Sequence, residues 1–289
     1  MTDISATLVK QLRDKTGAGI MACRTTLVET AGDLDAAIER LREAQTTMAA
    51  RREHRVTAEG LIGVAVDGDS GALVELTCET DFVARGEAFR EAVAVLAQAA
   101  LKVTRFTEVS MAGGEPVSEL TARLSSRTGE RVSLGRSARI TAPGVLGSYV
   151  HNTVAPGVGT LGALVALDSG GTREVVAKWS RTIAMHVAAS APQWISPQDV
   201  PAEVVEAKRA ELHAQAATSG KPAGVVERMV EGRLRKFVDE ITLLRQPFVL
   251  DPDRSVGQAL DDACAESGAP IVVRAFARLR AGDRPEPTA

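Results

Sequence analysis

Gly71-Ala72-Leu73-Val74-Glu75-Leu76 and Gly162-Ala163-Leu164-Val165-Ala166-Leu167 are two versions of one hexapeptide. Around the first copy the pattern is that of a β-hairpin. Ile62, Val64 and Val66 alternate with small residues, and Asp67-Gly68-Asp69-Ser70-Gly71 supplies turn chemistry. On the returning strand Val74, Leu76 and Cys78 alternate with Glu75, Thr77 and Glu79, which places the first set inward and the second outward. A helix is expected from Phe82 to Leu101, with Phe89, Val93 and Leu96 facing the core. The second copy is likewise followed by a short polar break and a helix carrying Val175, Val176, Trp179, Ile183 and Val187. Each copy closes with a late strand, Ser137–Thr141 in the first and Ile271–Leu279 in the second. Chance likeness of two β-rich strings is the rival possibility. The matched order of elements favours a pseudo-repeated pair of α+β halves.

Between the second helix and its closing strand lies an insertion of helical character. Val230, Leu234, Phe237, Ile241 and Leu244 recur with coiled-coil spacing, and Ala202 to Ala217 offers a partner helix. Ser219-Gly220-Lys221-Pro222 would form the turn. The pair is either a protruding arm of roughly 25–30 Å or a packed hairpin, and the spacing favours the arm. At the other end, Leu8, Val9 and Leu12 mark a first helix that stops at Thr16-Gly17-Ala18-Gly19. A second runs from Met21 to Ala31 and ends at Gly32. Asp33 caps a third, whose inner face is Leu34, Ala37, Ile38 and Leu41. Residues 45–58, with Arg51, Arg52, His54 and Arg55, lack an apolar pattern and are expected to be a linker. The expected partition is a helical module at 1–44, the linker, a first core half at 59–141, and a second at 142–200 and 246–280. The insertion occupies 201–245, and 281–289 is a polar, proline-rich tail not expected to pack.

Composition narrows the function classes. Net charge is −3 and the pI near 5.9, against the basic surplus of proteins that track phosphate backbones. Aromatics are 3%, so the core is built from Ala, Val, Leu and Ile. Cys23, Cys78 and Cys264 lie far apart, which argues against a disulfide framework or zinc site and fits a reducing cytoplasm. No apolar run approaches the ~20 residues of a membrane span, and the first residues lack the features of a signal peptide.

No enzymatic handle emerges. Gly157-Val-Gly159 lacks the third glycine of a dinucleotide loop, and His54, His151, His186 and His213 have no metal-ligand spacing. No cofactor is expected. His186 lies on an apolar helix and is expected to be a satisfied core histidine, while Glu79 and Asp81 read as surface carboxylates at a strand end. One local feature stands out, Thr80-Asp81-Phe82-Val83, where a strand gives way to a helix. Thr80 or Asp81 can cap that helix, and the helix dipole favours a carboxylate there. Spacing alone leaves Phe82 either stapled inward or pointing outward, and favours the core.

Several of these strings resemble the signatures of the elongation factor Ts family. They are Leu8-Val-Lys-Gln-Leu-Arg13-Asp-Lys-Thr-Gly17-Ala-Gly19-Ile-Met21-Ala-Cys23-Arg24 with Gly32-Asp33-Leu-Asp-Ala-Ala-Ile38, then Glu79-Thr80-Asp81-Phe82-Val83-Ala84-Arg85. Val145-Leu-Gly-Ser-Tyr149-Val-His151, Ile183-Ala-Met-His186-Val-Ala-Ala-Ser190 and Gln246-Pro-Phe-Val249 follow in the family's order. The resemblance implies a ubiquitin-associated-like (UBA-like) amino-terminal module, a two-part α+β core and a coiled-coil hairpin. It also implies a non-enzymatic guanine-nucleotide exchange factor acting on elongation factor Tu, in its GDP-bound and nucleotide-free forms. By position, Arg13, Ile20, Met21 and Arg24 would grip the partner's GTPase domain. Thr80, Asp81, Phe82 and Val83 would disturb its magnesium and phosphate site, which places Phe82 outward after all. His151, Val249 and Leu250 would touch another of its domains.

Ile20, Ala22, Arg24, Thr25 and Gly86 depart from the family's usual residues. Arg24 keeps the charge with a different geometry. An extra terminal helix carried by some members is not expected here. Two rivals follow: a binding module on the same fold without exchange activity, and an RNA-binding factor suggested by Arg51, Arg52, Arg55 and the arginines from Arg123 to Arg139. The acidic balance and scarcity of stacking aromatics count against the RNA reading, so no direct nucleic-acid contact and no membrane contact are expected.

Overall fold

The computed structural model describes residues 4–102, 116–217 and 222–283. It begins with three helices, α1 (Ala6–Thr16), α2 (Ile20–Glu29) and α3 (Leu34–Ala50). Ser5 caps α1 by accepting from Leu8 N at 3.2 Å, and Gly17 ends it at φ 66°, a left-handed conformation suited to glycine. Asp33 caps α3, its carboxylate taking the N–H groups of Asp35 and Ala36 at 3.0 Å each. Leu12, Ala18, Cys23, Leu27, Ala37 and Leu41 form a small core.

The third helix runs past its expected end. Residues 45–50, expected to begin a linker, are helical because Gln45 is buried and its Nε2 donates to Thr16 O at 3.0 Å, satisfying a carbonyl at the end of α1. Beyond it, Arg52 Nη1 donates to Ser125 O, and Arg55 pairs with Glu79 at 3.2 Å. The arginine-rich stretch is pinned to the body.

The core begins with the hairpin β1 (Glu59–Asp67) and β2 (Ser70–Cys78). Next come α4 (Asp81–Ala84), α5 (Glu87–Ala100), α6 (Val117–Thr128) and β3 (Ser133–Thr141). Its second half contains β4 (Val145–His151), β5 (Val158–Gly159), β6 (Leu161–Ser169), α7 (Arg173–Ser190), α8 (Ala202–Ala217) and α9 (Ala223–Ile241). A short ribbon, β7 (Pro247–Phe248) and β8 (Asp251–Ser255), then leads to α10 (Val256–Ser267) and β9 (Ile271–Arg280). One sheet has the order β3-β2-β1-β5 and the other β4-β6-β9. The two copies of the hexapeptide are thus the two central strands. Each pairs antiparallel with a strand before it and with the late strand of its half. The register shifts between Val74 and Leu76 in one, and between Ala166 and Leu167 in the other, in both cases toward the end of the hexapeptide.

Both faces of these strands are buried, which explains their near-continuous apolar run. Ala72, Val74 and Leu76 pack with α5 and α6, and Ala163, Val165 and Leu167 with α7 and α10. Ile62, Val64, Leu73, Ile140, Leu164, Ala166 and Leu279 fill the space between the sheets. Gly71 and Gly162, the first residues of the two copies, allow that approach. A Cβ on Gly162 would lie 2.6 Å from Val64 Cγ2, and one on Gly71 3.0 Å from Leu164 Cδ1.

Other expectations need correction. Glu75 and Thr77, expected to face solvent, are buried, because the second face of β2 meets the rest of the core. The helix expected from Phe82 to Leu101 is two, since Gly86 adopts φ −64° and ψ 141° and starts α5 as an extended cap. Leu244, the last position of the expected seam, sits in a separate one-turn 3-10 helix after α9 ends. Leu212, Ala216, Val230 and Leu234 do meet between α8 and α9. Of the turn expected at Ser219 to Pro222, residues 219–221 lie outside the described residues, as do 284–289 of the tail, and Pro222 directly precedes α9. Ala281 and Gly282 are tied down instead, donating to Thr160 O at 2.9 Å and Glu75 Oε1 at 3.2 Å.

Candidate functional site

The residues singled out by sequence gather into three surface groups, each lining a different cavity. The first sits where α1 turns into α2. Gly17 and Gly19 reverse the chain, so that Arg13, Ile20 and Arg24 line one groove of about 520 Å³ with Ile4 and Val9. Met21 lies beside it, 71% exposed. Val28, eight residues along α2 from Ile20, is also exposed, a position that sequence alone does not mark because it resembles an ordinary core residue.

The second group is carried on the single turn α4. Phe82 is 85% exposed, against the spacing-based expectation that it packs inward. The physical reason is local. Val83 and Ala84 already supply the inward face of so short a helix, and the break at Gly86 frees Phe82 from the stripe of α5. Asp81, next to it, pairs with Arg85 at 2.9 Å. Thr80 is the cap, its Oγ1 accepting from Val83 N at 3.4 Å. Thr80 is itself held by Glu130, whose Oε1 accepts from Thr80 Oγ1 at 2.7 Å and whose Oε2 accepts from Thr80 N at 3.0 Å. Sequence reasoning misses Glu130. It follows the turn glycine of α6, 50 residues away, with no local signal. Phe82, Val83, Phe89, Leu124 and Arg127 line a cavity of about 640 Å³.

Neighbouring groups are set by burial and pairing. Glu79 Oε1 accepts from Arg131 N at 2.6 Å and from Arg55, which holds its carboxyl below the usual range. Burial pushes the Cys78 thiol up to about 12, so it is an inert core group rather than a nucleophile.

The third group joins β4 to the turn between β7 and β8. His151 and Val249 line one cavity of about 500 Å³ with Tyr149, Met185 and Arg278, and the exposed Leu250 stands next to Val249. His151 Nδ1 is 3.2 Å from Tyr149 Oη. Beneath them His186 is fully buried, as expected. Its Nδ1 accepts from Val249 N at 3.2 Å, so Nε2 carries the proton and donates to Gln246 Oε1 at 2.9 Å. Burial pushes its pKa down, keeping the ring neutral.

Among the described residues no three His, Cys, Asp or Glu side chains gather as a metal site would require, and no helix is long and apolar enough to cross a membrane. The sequence model of the family described as Elongation factor TS matches residues 79–283. The chain belongs to the elongation factor Ts family. It is 44% identical to the Elongation factor Ts of Caulobacter sp. strain K31 over 291 residues, covering 98% of this chain and 93% of that one. Identity is likewise 44% to the protein of that name from Brucella anthropi, covering 97% and 93%, and 43% to that from Maricaulis maris, covering 98% and 93%. These alignments take in α1 to α3 as well as the core, so both the core and the helical end belong to the elongation factor Ts likeness.

Proposed function

We propose that this chain is a guanine-nucleotide exchange factor for elongation factor Tu, binding its GDP-bound and nucleotide-free forms in the cytoplasm without chemistry of its own. The observation that supports this most is Phe82, a large apolar ring held out in water on a capped turn beside Asp81. Aromatic side chains are enriched at protein–protein interfaces relative to the rest of the surface. On this reading Thr80, Asp81, Phe82 and Val83 disturb the partner's magnesium and phosphate site. Arg13, Ile20, Met21 and Arg24, on a UBA-like module at 1–44, grip its GTPase domain, and His151, Val249 and Leu250 meet a second domain. The pair α8 and α9 is a coiled-coil arm inserted into the second core half.

The physics is linkage. A protein that weakens the partner's hold on GDP is itself bound less tightly by the GDP complex, by the same free energy. Release faster by ~10⁴-fold removes about 5.5 kcal/mol from the barrier. Burying one phenylalanine supplies roughly 1.5–3 kcal/mol. Phe82 therefore acts with the rest of the interface, which holds the nucleotide-free form. Mixing the chain with elongation factor Tu carrying fluorescent GDP tests the reading. A concentration-dependent rise in the release rate is expected. Complex formation with an unchanged rate would leave a binding module without exchange activity in its place.

A further inference from the structure

The strand end that bears the exposed turn and the turn that follows α6 are fastened by two glutamates in a reciprocal arrangement. Glu130 takes the backbone N–H of Thr80, the residue after Glu79. Glu79 takes the backbone N–H of Arg131, the residue after Glu130. Each carboxylate has a further donor: Thr80 Oγ1 at 2.7 Å on Glu130, and Arg55 Nη1 at 3.2 Å on Glu79. The far side of the clasp is itself anchored. Ser125 Oγ donates to Glu130 O, Glu130 N donates to Thr128 Oγ1 at 3.3 Å, and Arg131 Nη1 donates to Arg55 O at 2.6 Å.

We infer that this clasp, and Glu130 within it, is a positioning device that holds Phe82 out of its own protein and in the orientation needed for nucleotide exchange. The inference rests on the reading of Phe82 as the exchange residue. Two physical arguments carry it. A four-residue helix has no cooperative length behind it, because the first turn fixes several backbone angles for a single hydrogen bond. Its geometry must be imposed from outside. Glu130 does this by fixing both the backbone and the hydroxyl of the cap, and a hydroxyl that donates to a carboxylate is oriented to accept from Val83 N. The second argument concerns where Phe82 would go otherwise. The adjoining cavity, which Phe82 already edges, is lined by Val83, Phe89 and Leu124 as well as by Glu87, Glu91 and Arg127, and its apolar part is within reach of a loosened turn. A ring free to fold into it would leave water, and the protein would lose its contact residue.

Glu130→Ala and Glu130→Gln test this on the full chain by two measurements. In the free protein, hydrogen exchange of the segment 79–85 should accelerate by at least about 10-fold in Glu130→Ala while β2 and α5 stay protected. The Gln variant, which keeps one acceptor in place of two, should fall between. In exchange assays on elongation factor Tu with fluorescent GDP, Glu130→Ala should lower the plateau release rate about 10-fold, with the half-saturating concentration changed less than about 3-fold. In a Phe82→Ala background the same change should cost little more, since both act through one ring. An unchanged exchange pattern at 79–85, or an equal loss with and without Phe82, overturns the clasp. A wild-type chain that leaves GDP release untouched counts against the exchange reading instead, and the hydrogen-exchange result still decides the clasp.

Discussion

Glu75 and Arg136 are joined by two charge-assisted hydrogen bonds, Arg136 Nε to Glu75 Oε2 at 2.8 Å and Arg136 Nη2 to Glu75 Oε1 at 3.1 Å. The glutamate lies on the central strand β2 and is 3% exposed, with a quarter of the arginine side chain reaching water. The same carboxylate accepts from the backbone N of Arg136 and of Gly282, and the guanidinium donates to Arg280 O. One residue therefore fastens β2 to β3 and both to the end of β9. At the matching place in the second hexapeptide stands Ala166, so the latch belongs to one half of the pseudo-repeat alone.

Removing Glu75 leaves a largely buried arginine and two backbone N–H groups, those of Arg136 and Gly282, without their acceptor. Breaking a fully buried pair costs ~3–5 kcal/mol, and the partial exposure of Arg136 lowers that to about 2–4 kcal/mol for Glu75→Ala. Thermal unfolding followed by circular dichroism checks it. A midpoint within a degree of the wild type would mean that the latch contributes nothing.

For Phe82→Ala the expected pattern is the reverse: stability within about 0.5 kcal/mol, since the ring is solvated, and nucleotide release slowed by about 10–100-fold. Stopped-flow release of fluorescent GDP measures it. An unchanged rate removes Phe82 from the exchange site.

These two residues also show where sequence reading stops. The fold is legible because the hexapeptide recurs and each copy is followed by the same order of elements, a helix and then a late strand. The caps at Asp33 and Thr80 were accessible to local rules, since a capping side chain and the groups it serves lie within three residues. Glu75 was misassigned by alternation, since its partner Arg136 lies 61 residues away and nothing near it marks the second face as buried. Phe82 defied spacing because its exposure is set by the break at Gly86 and by Glu130. Gln45 looked like linker because a polar side chain that closes a helix end cannot be told from a solvated one by periodicity. Resemblance to a family found the three surface groups; geometry then supplied the partners of His186 and Glu130, which hold two of them in place.

His186 gives a pH dependence of known sign. Burial lowers its folded-state pKa below the ordinary 6.5. The neutral ring's bonds to Gln246 and Val249 are fully present above the unfolded value and are lost as pH falls through the folded one. Stability should therefore decline on acidification below about pH 6.5, with a slope of at most ~1.36 kcal/mol per pH unit from this group. Protonated Nδ1 can no longer accept from Val249 N, so partner affinity should weaken at the lower pH where the folded ring itself takes up a proton. Titration calorimetry with elongation factor Tu between pH 7.5 and 5.5 tests this in a His151→Gln background, which removes the other ring at that cavity. An identical decline in a His186→Gln variant would assign the effect elsewhere.

Two glycines should respond to alanine with opposite signs. Gly162 lies against Val64 and Ile62 of the other sheet, with no room for a Cβ: the contacts would be 2.6 and 2.9 Å. Gly162→Ala must push the sheets apart or shift both side chains, and overpacking of this kind costs about 1–3 kcal/mol. Gly232 sits exposed in the interior of α9 with nothing within 4 Å of the same position. There alanine removes only the flexibility of glycine, and the helix gains about 0.5–1 kcal/mol. Denaturation midpoints of the two variants should lie on either side of the wild type. If Gly162→Ala matches or exceeds it, the sheets are not in the close contact that the paired hexapeptides require, and Val64→Ala in the same chain should then bring no relief.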